Sequence, residues 1–308
     1  MRVVSLLPSA TELCYALGVE PVGVSHECDY PPQAREQPTV VHSQIDTDAS
    51  SQEIDEQVDE AVESGGVYSI DRERLRALDP DVVVSQGICE VCAVDDSRIR
   101  RAIDELGLDT EVVSTDPHSL GDVFDDLERL GAVLGREGRA SKLLAGFRER
   151  VDRVERATPA DGPRVAVLDW MDPVMVAGHW IPGMVEQAGG SYGLADPGDR
   201  SRPREWADIR AYDPEVLVAA PCGFDIEQTV ENSADLTDRE GWANLTAVAE
   251  DRVYLVDGHE YVNRPGPRLL DTLELFAGLV HPELDFEAVD GDAVRRLTTP
   301  GDTPEPPA

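Results

Sequence analysis

Cysteine and histidine side chains that could hold a metal ion concentrate in a few loops of this 308-residue chain. His26 and Cys28 follow one short apolar run, Cys89 and Cys92 follow a second, and Cys222 follows a third in the other half of the chain. Thiolates and imidazoles are the ligands that zinc, iron and cobalt prefer. We therefore predict a metal centre made by these five residues, provided that the loops carrying them converge.

One cysteine and three histidines that lie outside these loops are expected to have structural roles. Cys14 lies in the predicted first helix and is expected to be a small core residue, far from the other four thiols. His42, His118 and His281 lie outside the loops and are expected to be surface or helix-cap residues.

Strands and helices alternate along the sequence and must position these loops. Alternation of this kind predicts an α/β fold with parallel sheets, in which ligands bind at the carboxyl ends of the strands. The predicted strands are residues 2–7, 21–25, 82–84, 111–114, 164–168, 215–219 and 252–256. The more strongly patterned helices are residues 51–63, 136–157, 183–188 and 268–279.

Two sequence features predict two Rossmann-like lobes joined by one long helix. Residues 76–84 resemble residues 210–218, with the same Arg-Ala-x-Asp-Pro start before an apolar strand. Between the two copies, residues 136–157 show helical spacing of apolar side chains over about 33 Å. The expected bounds are an N-terminal lobe at 1–135, a linker helix at 136–158, a C-terminal lobe at 159–298 and a disordered tail at 299–308.

Two helix starts are predicted in detail. Ser9 and Glu12 have the spacing of a capping box at the start of the first helix. Asp71 is expected to cap the short helix that contains Leu75.

The charge balance excludes several partner classes. The chain has 27 Lys plus Arg against 62 Asp plus Glu, for a formal charge of −35. This charge argues against nucleic acid and against anionic membranes. Lys142 is the single lysine, and acidic excess of this kind is typical of halophilic proteins. A strand-like run follows Met1 directly, so the expected location is cytoplasmic if translation starts at Met1. If translation starts upstream, the expected location is extracytoplasmic.

Several stretches resemble the type III solute-binding proteins of cobalamin, siderophore and haem uptake, and cobalamin-binding proteins most of all. The matching stretches are residues 2–12, 22–25 with 29–32, 78–84 and 263–268. The resemblance covers residues 1 to about 282. It implies two lobes that clamp a flat metal chelate, such as a cobalamin-like corrinoid, and an ABC-transporter permease as partner of exported relatives. A monomer is expected.

The resemblance also implies a set of ligand-binding side chains. Aromatic rings suit the face of a macrocycle because they offer large apolar area with little loss of entropy. Imidazoles of His26, His179 or His259 are the expected axial ligands of its metal. The ligand-binding residues implied in this way are Tyr30, Trp170, His179, Trp180, Phe224, His259 and Tyr261.

Other functions stay open at this point. The cysteine and histidine loops also fit a cytosolic metalloenzyme built on the same fold, with Glu27 and Glu90 as general bases. A metal sensor or a dithiol redox protein would use the Cys89-x-x-Cys92 spacing. Binding without catalysis is favoured over an enzyme.

Overall fold

The computed structural model describes residues 1–46, 49–64, 66–87, 94, 96–159, 161–286 and 291–297. It divides the chain into two compact α/β units. Unit 1 comprises Met1–Ala49, Glu53–Pro117 and Gly121–Ala145, and unit 2 comprises Ser50–Gln52, His118–Leu120 and the described part of Gly146–Ala308. Cys89, Cys92, Glu90 and the predicted tail after residue 298 lie outside the described residues.

The described strands of unit 1 form two three-stranded sheets, in which three of the four strand pairs are parallel. Its described strands are β1 (Val3–Ser5), β2 (Val24–Ser25), β3 (Thr39–Ser43), β4 (Tyr68–Ile70), β5 (Val82–Gln86) and β6 (Glu111–Thr115). The strand order is β1-β5-β6 in one sheet, all parallel. In the other sheet the order is β2-β3-β4, and the β3–β4 pair is antiparallel. The helices lying wholly or mostly in this unit are α1 (Pro8–Ala16), α2 (Ser51–Ser64), α3 (Arg72–Leu78), α4 (Asp96–Leu106) and α5 (Leu120–Val133).

Unit 2 is built on a mixed sheet with strand order β12-β11-β10-β7-β8-β9 among its described residues. These strands are β7 (Val165–Met171), β8 (Val174–Val176), β9 (Arg202–Pro203), β10 (Val216–Ala219), β11 (Val253–Val256) and β12 (Val294–Arg296). The central strands β7, β10 and β11 are parallel, and the strands outside them are antiparallel. The predicted α/β class with parallel sheets is confirmed, and the antiparallel edge strands are additions to it.

Long and short helices accompany these strands. Helix α6 (Glu137–Ala157) confirms the predicted long helix, and the division between the units falls inside it, between Ala145 and Gly146. The finer domain bounds predicted from the sequence stay a prediction. The described helices of unit 2 are α7 (Ile181–Gln187), α8 (Trp206–Tyr212), α9 (Ile226–Glu231), α10 (Ala234–Thr237), α11 (Thr246–Ala249) and α12 (Leu269–Val280). None of the helices in the described part of the chain has both the length and the apolar character needed to span a bilayer.

The sequence repeat corresponds to a repeated helix-to-strand turn. Helices α3 and α8 both end at an aspartate in the left-handed conformation, Asp79 with φ 41° and Asp213 with φ 48°. A proline follows each aspartate and cannot continue a helix. The next strands, β5 and β10, are completely buried, which explains their uninterrupted apolar sequences. The same local solution therefore delivers one central strand to each unit.

Of the two predicted helix starts, one is confirmed and the other is wrong. The Asp71 side chain accepts a hydrogen bond from the Arg74 N–H at 2.9 Å, as an N-cap should. The capping box of Ser9 and Glu12 does not form, because α1 begins at Pro8 and no side chain caps it. Proline suits the first helical position since its missing N–H would have no partner there. Ser9 and Glu12 are instead buried inside the helix.

The second half of α6 is held to α12 by a charged network within unit 2. Arg150 donates to Glu274 at 2.6 and 3.0 Å and to Asp271 at 2.6 Å, and Arg153 also donates to Glu274. The Glu274 side chain is 11% exposed and that of Arg150 is 29% exposed. The network therefore lies under partial cover, where solvent screens it less than a surface ion pair.

Candidate functional site

The carboxyl ends of three parallel strands of unit 2 carry most of the predicted ligand-binding residues of that unit. Strand β7 extends past its pairing with β10 and carries Trp170 at its end. Phe224 follows β10, and His259 and Tyr261 follow β11 in a short π-helical turn, Gly258–Val262. We call Trp170, Phe224, His259 and Tyr261 the strand-end surface. The strands' shared direction brings these side chains to one edge of the sheet, as predicted.

Two of its aromatic rings pack on each other. The Trp170 and Phe224 rings have centroids 5.1 Å apart and planes tilted by 57°. The Trp170 indole N–H donates to the Asp172 carbonyl at 3.1 Å, which satisfies its polar atom. Trp170 is 8% exposed and Phe224 is 3% exposed. The pair is therefore a buried apolar contact and presents little ring area to solvent.

The loops after β10 and β11 are tied together. The His259 N–H donates to the Phe224 carbonyl at 2.9 Å, and the Asn263 amide donates to the Ala220 carbonyl at 3.0 Å. A Cβ on Gly258 would lie 2.2 Å from the Pro221 carbonyl oxygen, so that position requires glycine. These contacts hold the two loops in one fixed arrangement.

Two buried arginines, which the sequence reasoning did not assign to the site, border His259 and Tyr261. Arg264 donates to Nε2 of His259 in a short contact. Arg268 lies 5.7 Å above the Tyr261 ring and 3.6 Å from the Glu260 carboxylate. In the sequence both arginines flank a segment with two prolines, Arg264–Arg268. This segment supported the family resemblance and was not assigned to the ligand site. A guanidinium is a cationic group that donates hydrogen bonds and accepts none.

Burial changes the acidity of two side chains here. Burial, followed by the nearby Glu260 charge, raises the pKa of Tyr261 above its usual 10. Tyr261 therefore remains a protonated hydrogen-bond donor at neutral pH. Burial also raises the pKa of Asp257, although its carboxylate accepts the Glu260 N–H at 2.7 Å. The site thus combines apolar area with neutral and cationic donors.

Trp180 and His179 lie beside this edge, and a third residue joins them. The Trp180 indole N–H donates to the Val262 carbonyl at 3.0 Å, which links it to the turn after β11. The His179 ring lies 5.6 Å from Trp180 and 5.7 Å from the His118 ring. His118 had been expected to have a surface or cap role, and no sequence signal pointed to this pairing.

The other histidines outside the loops differ from each other. His42 is exposed, as expected. His281 is the C-cap residue of α12, which confirms the cap alternative. It is buried, with its Nε2 3.2 Å from the Gly189 carbonyl, so the surface alternative was wrong. A helix-end position allowed its ring to turn inward.

In unit 1 the predicted site residues separate by burial. Tyr30 and His26 are exposed, and the His26 Nδ1 lies 3.2 Å from the Val41 carbonyl. Cys28 is 2% exposed and packs with Val24 in an apolar cluster. The Thr11 hydroxyl lies 3.1 Å from its sulfur and donates to it. Cys28 is thus a core thiol in this structure.

Cys14 confirms its expected core position but not its expected isolation. Burial raises the pKa of the Cys14 thiol to about 12, and the charge of Cys28 is the second cause. The two thiols therefore lie within electrostatic reach of each other, because α1 packs beside the loop after β2. The expectation that Cys14 is far from Cys28 was wrong, and its separation from Cys89 and Cys92 stays a prediction.

The predicted metal centre stays a prediction. Within the described ranges, no three His, Cys, Asp or Glu side chains are grouped so that they could hold a metal ion. Cys28 is buried in unit 1, whereas Cys222 is exposed in unit 2 with its N–H bonded to the Asp169 carbonyl at 2.9 Å. Cys89 and Cys92, on which the prediction depends most, lie outside the described residues.

Two α/β units connected through one long helix, with aromatic residues at strand ends, are the architecture of the two-lobed solute-binding proteins. Comparison with known families agrees: the chain belongs to the periplasmic binding protein family, whose model matches residues 3–259. The match includes helix α6, nearly all of unit 1 and the part of unit 2 up to His259.

Individual relatives agree with this family assignment. The chain is 26% identical to a vitamin B12-binding protein of Vibrio cholerae, over 89% of this chain and 86% of the relative. It is 23% identical to the uncharacterised ABC transporter substrate-binding lipoprotein YvrC of Bacillus subtilis, over 92% and 80%. Among solved structures, a periplasmic haem-binding protein of Pseudomonas aeruginosa superposes with a TM-score of 0.68 at 21% identity, covering 95% of this chain and 96% of that one. The structural match shows the fold.

Proposed function

We propose that this protein binds a planar metal chelate of the corrin or haem type on the strand-end surface of unit 2. The packed and fixed arrangement of Trp170, Phe224, His259 and Tyr261 carries the proposal. It is supported by family membership and by the names of relatives that bind vitamin B12 or haem. The metalloenzyme alternative receives no support from these comparisons.

The physical argument rests on preorganisation. The loops after β10 and β11 are already joined by hydrogen bonds, so little ordering entropy is lost when a ligand binds. Tyr261 is partly exposed and offers an aromatic ring and a phenolic donor. Trp170 and Phe224, at the ends of the neighbouring strands, pack on each other. Tyr30 of unit 1 is exposed, and its contact with a ligand stays a prediction.

Fluorescence titration tests the proposal. All four tryptophans lie in unit 2, at positions 170, 180, 206 and 242, so quenching reports a bound chelate and the variants below locate it. The full chain in concentrated KCl is titrated with cyanocobalamin, dicyanocobinamide and haemin. Tyr261→Ala is expected to weaken binding by about tenfold to a hundredfold, the effect of removing one large aromatic contact.

A matched aromatic variant is the control. Trp206 stacks on Trp242 with ring centroids 6.2 Å apart and donates to the Glu240 carbonyl, so Trp206→Phe should leave affinity unchanged. Failure of all three ligands to give saturable quenching would contradict the proposal. Equal losses in Tyr261→Ala and Trp206→Phe would show general unfolding and remove the support for this surface.

Axial ligation of the chelate's metal is proposed for His259 of the strand-end surface, and ligation by His26, which lies in unit 1, stays a prediction. The Nε2 of His259 accepts from Arg264, which can only donate, so ligation through that atom would require Arg264 to move. A shift of the visible spectrum on binding that disappears in one histidine variant would identify the ligand. A spectrum unchanged from that of the free chelate would contradict protein ligation.

Action outside the cytoplasmic membrane, with delivery to an ABC-transporter permease, completes the proposal. Relatives are named as lipoprotein or periplasmic proteins, which supports the extracytoplasmic alternative over the cytoplasmic one. Fractionation of native cells with sequencing of the mature N-terminus tests it. Recovery of the protein only from the cytosol would overturn this part.

A further inference from the structure

We propose that His118 and His179 form a two-imidazole site for a free late first-row transition-metal ion, separate from the chelate on the strand-end surface. His118 precedes α5 in the short segment that belongs to unit 2, and His179 lies between β8 and α7. Their ring centroids are 5.7 Å apart and their planes differ by 38°. Imidazole nitrogen is a preferred ligand of zinc, copper and nickel.

The separation of the rings fits coordination of one ion. With a metal–nitrogen distance of about 2.1 Å, each ring centroid lies about 3.2 Å from the metal. If one nitrogen of each ring binds the same ion, a centroid separation of 5.7 Å corresponds to a nitrogen–metal–nitrogen angle of about 125°, nearer to the tetrahedral angle that zinc prefers than to the 180° of opposite ligands.

The same angle excludes coordination of both imidazoles to the metal of one macrocycle. A planar chelate fills four equatorial positions, so two further ligands must lie opposite each other at about 180°, with the macrocycle between them. Rings at about 125° occupy neighbouring positions on an ion that has no macrocycle. The site is therefore assigned to a free ion, whose remaining positions are filled by water.

The backbone holds His179 in place for this role. Its φ of +53° is in the left-handed region, which is unfavourable for a residue other than glycine. Two hydrogen bonds maintain it: the His179 N–H donates to the Asp199 carbonyl, and the Gly198 N–H donates to the His179 carbonyl at 2.9 Å. Gly198 also lies beside His118, since a Cβ at this position would be 3.9 Å from the His118 Cβ. Strain that a loop holds in this way is typical of functional positions.

The test is titration of the untagged full-length protein with Co²⁺, followed by its visible absorption. One bound ion with d–d bands and without thiolate charge-transfer bands is expected. His118→Gln and His179→Gln should each weaken binding at least about tenfold, because each removes a metal ligand. His42→Gln, a change of an exposed histidine in unit 1, is the matched control and should bind as the wild type does.

Three results would overturn the proposal: no bound Co²⁺, thiolate bands that persist in both histidine variants, or equal weakening by His42→Gln. Circular dichroism of each variant verifies folding, and His118→Gln keeps the test valid if the strained position 179 tolerates no change. Titration with cyanocobalamin and haemin, which reports the proposed function separately, should give the wild-type affinity in His118→Gln. Loss of macrocycle binding in both variants would instead assign the imidazoles to the chelate and refute a separate site.

Discussion

The network of Arg150, Arg153, Asp271 and Glu274 allows a quantitative stability prediction. Arg150→Met removes three hydrogen bonds and leaves Glu274, 11% exposed, with Arg153. Removing one partner of a fully buried ion pair costs about 3–5 kcal/mol. Because the Arg150 side chain is 29% exposed and Arg153 remains, the expected loss is about 2–3 kcal/mol.

The assay is urea unfolding at constant KCl, followed by tryptophan fluorescence, which reports on unit 2. Burial raises the pKa of Glu274, but the hydrogen bonds and charges of Arg150 and Arg153 outweigh burial and hold it below its usual 4.5. A carboxylate with a lowered folded-state pKa contributes stability above its unfolded pKa and loses it as pH falls through the folded pKa. The difference between wild type and Arg150→Met should therefore be full at neutral pH and shrink below about pH 4.

Arg148 on the same helix provides the matched control, because it is exposed. Arg148→Met should change the free energy of unfolding by less than about 0.5 kcal/mol. In the double variant Arg150→Met with Glu274→Gln, the cost of losing Arg150 should fall, since no buried charge is left behind. Equal effects of Arg148→Met and Arg150→Met, or a loss independent of Glu274, would refute the reasoning.

Three further outcomes are expected. Burial raises the pKa of Asp126 to about 6, so the free energy of unfolding should fall by up to about 3 kcal/mol as the pH rises from 4 to 6. Asp126→Asn should flatten this pH dependence in urea titrations, and a wild-type curve without the slope would contradict the prediction. Native alkylation mapped by mass spectrometry should label exposed Cys222 and spare buried Cys14 and Cys28 until the protein unfolds; early labelling of either would contradict their burial. Gly258→Ala should cost about 1–3 kcal/mol in thermal or urea unfolding because its Cβ meets backbone at 2.2 Å, and a neutral effect would show that the turn after β11 can shift.

The sequence was most informative where the spacing of apolar residues and the residues at helix ends determine structure locally. The long helix α6, the buried strand β5 and the cap at Asp71 follow from apolar spacing and from aspartate chemistry. The Asp-Pro repeat predicted paired units because the left-handed helix end at Asp79 and its copy at Asp213 depend on neighbouring residues only. Short edge strands such as β9, at two residues, have too few positions to show alternation.

Site residues were less accessible to sequence reasoning because exposure is a tertiary property. Trp170 and the aromatic loops were assigned to strand ends correctly, yet packing decides that Trp170 is largely covered. Cys28 looked like a loop thiol, but the apolar cluster with Val24 encloses it. His118 gave no sequence signal, since its partner His179 is 61 positions away and only the fold joins them.

The hydrogen bonds between the loops after β10 and β11 also constrain how this protein can evolve. Since Asn263 bonds to the Ala220 carbonyl and Gly258 packs on Pro221, a change in one loop displaces the other. New ligand preferences should therefore arise through paired substitutions in both segments. Exchange between homologues should succeed when residues 220–224 and 257–263 are transplanted together, and should fail when either is moved alone.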